Sequence, residues 1–157
     1  MSYENAFHWI IDFLEQESVP YMIMGGLAAY AYGSERELYD VDLYIPQLAL
    51  AAVADYGKGA KTFGPSRYKD EFWDIEGTQF VVDSVKVEIT TDHNCRFFCE
   101  KDSMWIEQNI DFDSTVTKTL FGREVEVMRL DHLLSYKAQL ARDVDLDDVC
   151  RLEEAIG

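Results

Sequence analysis

The chain has 157 residues, 48% of them apolar, with 30 acidic against 14 basic residues and a formal net charge of −16 at pH 7. That length predicts one domain over residues 1–157, with enough apolar side chains to bury a core without disulfides or a structural metal. A field of that sign repels polyanions, so long RNA or DNA is disfavoured as a partner, and no apolar run reaches the ~18–20 residues that a membrane span needs.

The N-terminal MSYENAFHWIIDFLEQ is acidic and amphipathic and lacks the basic start and small-residue cleavage site of an export signal, so the expected location is cytoplasmic. Residues 3–17 read as a helix, because Phe7, Ile10, Ile11 and Leu14 recur at helical spacing. Tyr21–Met24 reads as a short strand closed by Gly25-Gly26, and the alanine-rich Leu27–Tyr32 as a short helix stopped by Gly33. Tyr39–Ile45 alternates as a strand does. Tyr39, Val41, Leu43 and Ile45 take one face and Asp40, Asp42 and Tyr44 the other. Pro46 ends that strand and opens a helix to Tyr56.

Residues 57–74 are expected to be irregular, rich in Gly, Lys and aromatics. Thr78–Asp83 and Val85–Thr91 read as two strands joined at Asp83-Ser84, with Lys86, Glu88 and Thr90 on the polar face of the second. Residues 97–108 read as a short helix, and Thr115–Leu120 and Glu124–Met128 as a strand pair about Phe121-Gly122. Helices are expected over 130–141 and 145–155, with Asp145 capping the second. Early alternation of strands and helices followed by hairpins predicts an α/β fold of the α+β kind, a mixed β-sheet flanked by helices. Three cysteines, Cys95, Cys99 and Cys150, are an odd, low count that fits reduced thiols; with His93 they lack CxxC spacing and a nearby fourth zinc ligand.

Chemistry concentrates in Asp40-Val41-Asp42. On one strand both carboxylates point the same way, with Cα atoms roughly 6.5–7 Å apart from the rise of a strand. Two ionised carboxylates there repel unless a cation lies between them, and a hard cation with oxygen ligands suits them. A solvent-facing strand would also explain an acid-apolar-acid triplet on its own. Upstream, however, Met24-Gly25-Gly26 ends a strand and opens a short helix, where backbone N–H groups can approach phosphate closely. Lys137 stands at helical spacing on the apolar stripe of Leu130, Leu133, Leu134, Leu140 and Ala141, and either meets an anion or snorkels to solvent.

The stretch YMIMGGLAAYAYGSERELYDVDLYIP resembles the signature of the nucleotidyltransferase superfamily: an apolar residue, Gly, Gly or Ser, a spacer, then acid-apolar-acid-apolar. Small stand-alone members look most similar, with AbiEii-type and antibiotic adenylyltransferases more distant. Gly25-Gly26-Leu27-Ala28 matches the GG-x-A run and Arg36 to Asp42 the R-x-x-x-D-x-D run. FVVDSVKVEITTD resembles the strand that carries the family's third carboxylate, with Glu88 in that place and Asp83, at the turn, as its rival. The C-terminal REVEVMRLDHLLSYKAQLARDVDLDDVCRL resembles the family's strand followed by a helix with a lysine and an Arg-x-x-Asp run.

The resemblance implies transfer of a nucleoside monophosphate from a nucleoside triphosphate to an acceptor hydroxyl, with release of pyrophosphate. Asp40, Asp42 and Glu88 would be the catalytic and metal-holding acids, for two magnesium ions about 3.5–4 Å apart. Gly25, Gly26, Arg36 and Lys137 would hold the triphosphate. Where the family often has serine this chain has Gly26; either Ser34 would compensate or triphosphate binding would be weaker. The acceptor would be a small molecule or a protein hydroxyl. The alternative is a catalytically silent nucleotide-binding or antitoxin-like module on the same fold.

Overall fold

The computed structural model describes residues 2–156. Helix α1 (Ser2–Gln16) buries Phe7, Ile10, Ile11 and Leu14, the stripe expected from their spacing. Strand β1 (Met22–Met24) runs directly into α2 (Gly25–Ala31), which starts at the paired glycines rather than after them. Gly25 has φ +67°, and a Cβ there would lie 2.7 Å from Asp42 Oδ2, so only glycine suits the point where strand becomes helix. Strand β2 (Asp40–Ile45) is followed by a 3-10 turn at Gln47–Ala49 and then α3 (Leu50–Tyr56), so the helix expected from Pro46 has two parts.

Residues 57–74 are not irregular: they contain β3 (Lys61–Lys69) and the start of β4 (Trp73–Val82). β3 pairs only with β4, and nearly all its side chains are exposed, so it carries no in–out alternation for a sequence reading to find. Nor do residues 97–108 form a helix. They fold as the hairpin β6 (Arg96–Cys99) and β7 (Met104–Glu107), with Phe97 and Cys99 alternating inward. β-forming aromatic residues prevailed there over the weak helical pattern.

β5 (Val85–Thr91), β8 (Thr115–Leu120) and β9 (Arg123–Met128) complete a nine-stranded mixed sheet of order β7-β6-β4-β5-β2-β1-β9-β8, with β3 added on β4. β2 and β5 are parallel, as are β1 and β9; the other pairs are antiparallel. The turns at Asp83-Ser84 and Phe121-Gly122 have positive φ at both central residues, the geometry of tight hairpins. On one face of the sheet Val41, Leu43, Val87, Ile89 and Phe80 pack with the α1 stripe and Val53 of α3 in the main core.

The other face carries the acids. α4 (Leu130–Leu140) and α5 (Asp143–Ile156) flank it, and Tyr136 and Leu140 of α4 pack with Phe97 of β6 in a smaller apolar cluster. Asp145 is not the N-cap residue: α5 starts two residues earlier, and the buried Asp145 carboxylate instead reaches back to accept from the Arg142 backbone N–H at 3.3 Å. Among the described residues no helix is long and apolar enough to cross a membrane.

Candidate active site

A cleft of about 610 Å³ opens over the acid-bearing face of the sheet. Its floor is set by strand register. β2 lies beside β5 in parallel, with Asp42 opposite Glu88 and Asp40 opposite Lys86. The alternation that buries Val41, Leu43 and Val87 turns Asp40, Asp42 and Glu88 into the cleft. One oxygen from each of these carboxylates lies within 4.8 Å of the others, the one such three-ligand group among the described residues.

The three acids repel one another. Partial burial and then the Glu88 charge raise the Asp40 carboxyl above its ordinary range, against the pull of Lys86 and Arg36. Asp42 is pushed well up, first by burial, then by the charge and hydrogen bond of Glu88, then by Asp40. The Lys137 charge opposes part of the Asp42 rise, and Lys86 Nζ stands 3.7 Å from Glu88 Oε1. Converging anionic oxygens of this kind fit a hard divalent cation, which would relieve the repulsion.

Gly25 and Gly26, where β1 meets α2, line the same cleft, as do Arg36 and Lys137. A Cβ on Gly26 would collide with the Arg36 guanidinium, so that glycine lets the arginine lie against the backbone. Arg36 is fixed there by Asp148: Nε donates to Oδ1 at 2.5 Å and Nη2 to Oδ2 at 3.1 Å. Lys137 does not snorkel. Its side chain is 3% exposed, and Nζ stands 2.8 Å from Asp148 and 3.5 Å from Asp145. Arg142 donates from Nε at 2.6 Å and Nη2 at 3.1 Å to Asp145, and its guanidinium lies over the Trp73 ring.

The α4–α5 wall therefore holds three cations against two fully buried carboxylates, a positive excess facing the negative floor. Ser34 is not brought to this place: it is buried outside the cleft lining, and its Oγ has no hydrogen-bond partner. Asp83, the rival third acid, is remote; it accepts a hydrogen bond from Asn5 on α1. Sequence reasoning missed Asp145 and Asp148 as anchors. Their signal was the Arg142-x-x-Asp145-x-x-Asp148 spacing, which puts both acids on one helical face.

Compared with protein-family models and with curated proteins, the sequence matches none. Its structure is similar to several solved ones. A Thermotoga maritima protein provisionally assigned as a nucleotidyltransferase superposes with a TM-score of 0.74 at 19% identity, over 97% of this chain and 92% of that one. The lincomycin-bound lincosamide antibiotic adenylyltransferase LnuA gives 0.65 at 13% identity, over 97% of each chain. ANT(2'')-Ia in complex with adenylyl-2''-tobramycin gives 0.66 at 12%, over all of this chain and 91% of that one. At these identities the likeness establishes the fold: a nucleotidyltransferase-like mixed sheet flanked by helices.

Proposed function

We propose that the protein is a nucleotidyltransferase that moves a nucleoside monophosphate from a nucleoside triphosphate to an acceptor hydroxyl. The observation that carries this is the convergence of three carboxylates on adjacent parallel strands, within 4.8 Å, beside paired glycines and a cationic wall. Fold neighbours that adenylylate or hold adenylylated antibiotics support the same reaction class and a small acceptor.

Asp40, Asp42 and Glu88 would hold the divalent cation, magnesium by the oxygen donors. When bound, such ions neutralise triphosphate charge and lower the pKa of the attacking hydroxyl. The chain's own groups do the rest. Gly25 and Gly26, lacking Cβ atoms, let Asp42 and Arg36 lie against the backbone, so the phosphates would meet the metal acids, Arg36 and the backbone N–H groups together. Arg36 keeps N–H donors beyond the two bound by Asp148 and offers them, with the Lys137 charge, to triphosphate oxygens. Glu88, the acid on the β4 side of the cluster, receives the acceptor proton. The acceptor oxygen bonds to the α-phosphorus as the bond to the bridging oxygen breaks and pyrophosphate leaves. The GG-x-A and R-x-x-x-D-x-D runs fit the nucleotidyltransferase superfamily, with AbiEii-type proteins as more distant relatives.

The test is transfer from α-labelled ATP, with magnesium, to pooled small-molecule and protein acceptors, read as labelled product and free pyrophosphate. Wild-type protein is expected to label an acceptor and Glu88→Gln to lose that activity. Magnesium-dependent ATP binding with no pyrophosphate release across the pool would point instead to a silent nucleotide-binding module.

A further inference from the structure

Register orders the groups along the cleft floor. Met24 pairs with Asp42, Asp42 with Glu88, Glu88 with Gln79, and Gln79 with Phe63. With strands ~4.8 Å apart, Gln79 stands about 5 Å and Phe63 about 10 Å beyond Glu88, on the side away from the glycines. The cations Arg36, Lys137 and Arg142 belong to the glycine and α4–α5 walls. Past Glu88 the β3–β4 part of the lining is uncharged: Thr62, Phe63, Tyr68, Ile75 and Gln79.

The charges these strands carry, Lys61 at the start of β3 apart, are engaged elsewhere, and Lys61 lies outside the cleft lining. Arg67 donates to the carbonyls of His93 and Asn94 and pairs with Asp74, which also binds Arg96. Glu76 accepts from Gln47 and Thr91, and Lys69 lies over the Trp105 ring. Facing the cleft instead are two exposed aromatics, Phe63 at 36% and Tyr68 at 43%, with ring planes at 88° and centroids 5.9 Å apart. The Tyr68 hydroxyl is tethered to Asp70 at 2.8 Å, which fixes its ring. Among the described residues the Gln79 side-chain amide makes no hydrogen bond and is free to donate and accept.

We propose that this β3–β4 wall is the acceptor subsite, and that the acceptor is a small uncharged alcohol whose hydroxyl is borne on a ring with an apolar face. This rests on the transferase reading above. A polycation finds no carboxylate among these lining residues, and the nearby Asp70 is bound to the Tyr68 hydroxyl and to the Phe72 and Trp73 N–H groups. A polyanion finds no base there and meets a chain of charge −16. A flat neutral ring finds the Phe63–Tyr68 pair to pack on and Gln79 to hydrogen-bond its polar edge. That position brings a ring hydroxyl to Glu88, which takes its proton. The hydroxyl oxygen bonds to the α-phosphorus, the bond to the α–β bridging oxygen breaks, and pyrophosphate leaves with that electron pair.

The test uses three probes observed by saturation-transfer NMR: phenyl β-glucoside as neutral ring alcohol, kanamycin as polycation and glucose 6-phosphate as anion. Wild-type protein is expected to bind the glucoside most tightly. A Phe63→Ala/Tyr68→Ala double variant, whose exposed sites leave the fold intact, is expected to lose at least tenfold in glucoside affinity with magnesium–ATP affinity unchanged. Tighter binding of kanamycin or glucose 6-phosphate, or no glucoside binding, overturns the proposal. So does a tenfold loss of magnesium–ATP affinity in the double variant, which would make the aromatics a nucleobase platform. Glucoside binding without nucleotide transfer to any neutral ring alcohol would leave the wall in place and refute the transferase reading instead.

Discussion

Replacing Asp148 by asparagine removes the hub of the α4–α5 wall. Asp148 is fully buried and serves both Arg36 and Lys137, the latter at 2.8 Å with almost no exposure of either side chain. Removing one partner of a buried ion pair costs about 3–5 kcal/mol, because the remaining charge is left desolvated. The lower end applies here. The asparagine carbonyl still accepts one hydrogen bond, Lys137 retains Asp145 at 3.5 Å, and the Arg36 side chain can reach water. A loss of about 3 kcal/mol in a chain of this length lowers the thermal midpoint by about 6–12 °C.

The pH dependence has a definite sign. Burial alone would raise the Asp148 carboxyl, but the hydrogen bonds and charges of Arg36 and Lys137 outweigh it and hold it below the ordinary 3.8. A depressed folded-state value stabilises above the unfolded value and loses that contribution as pH falls through the folded one. The gap between wild type and Asp148→Asn should therefore be constant above about pH 5 and close below about pH 4. Urea titrations monitored by circular dichroism from pH 3.5 to 7.5 measure it. A gap under 1 kcal/mol at pH 7, or one that widens in acid, would refute the buried-hub account.

Three further expectations concern the cleft. Asp42→Asn, without divalent cations, should be as stable as wild type or more so, since it relieves repulsion from Asp40 and Glu88; a clear drop in midpoint with EDTA present would contradict this. Gly25→Ala should cost about 1–2 kcal/mol from its left-handed backbone alone, besides crowding Asp42 at 2.7 Å, and differential scanning calorimetry reads the loss. Glu88→Gln should fold normally, because its pairing with Lys86 is open to solvent and worth at most about 1 kcal/mol. Its nucleotide transfer should nevertheless fall roughly 10²–10⁴-fold in a pyrophosphate-release assay.

Much of this molecule is legible wherever one face of an element is buried. The α1 stripe and the alternations of β2 and β5 announced themselves because Phe7, Ile10, Val41, Leu43 and Val87 must all face one core. The same alternation puts Asp40, Asp42 and Glu88 on the polar faces of their strands. β3 was illegible for the converse reason: an edge strand exposed on both faces imposes no period, and its pairing with β4 shifts register twice. The anchoring of Arg36 by Asp148 joins residues 112 apart, a contact that local spacing cannot express. Lys137 stood out as a charge on an apolar stripe, yet its partners emerged only once α5 folded across α4.

The central claim is that Asp40, Asp42 and Glu88 form a divalent-metal site that works with a nucleoside triphosphate. Its most direct test is equilibrium binding of manganese, followed by electron paramagnetic resonance, with a non-hydrolysable ATP analogue present. Wild-type protein should bind the ion saturably, and an Asp40→Asn/Asp42→Asn variant with an unchanged circular dichroism spectrum should lose that binding at least tenfold. Equal manganese binding by the folded variant and the wild type would contradict the account.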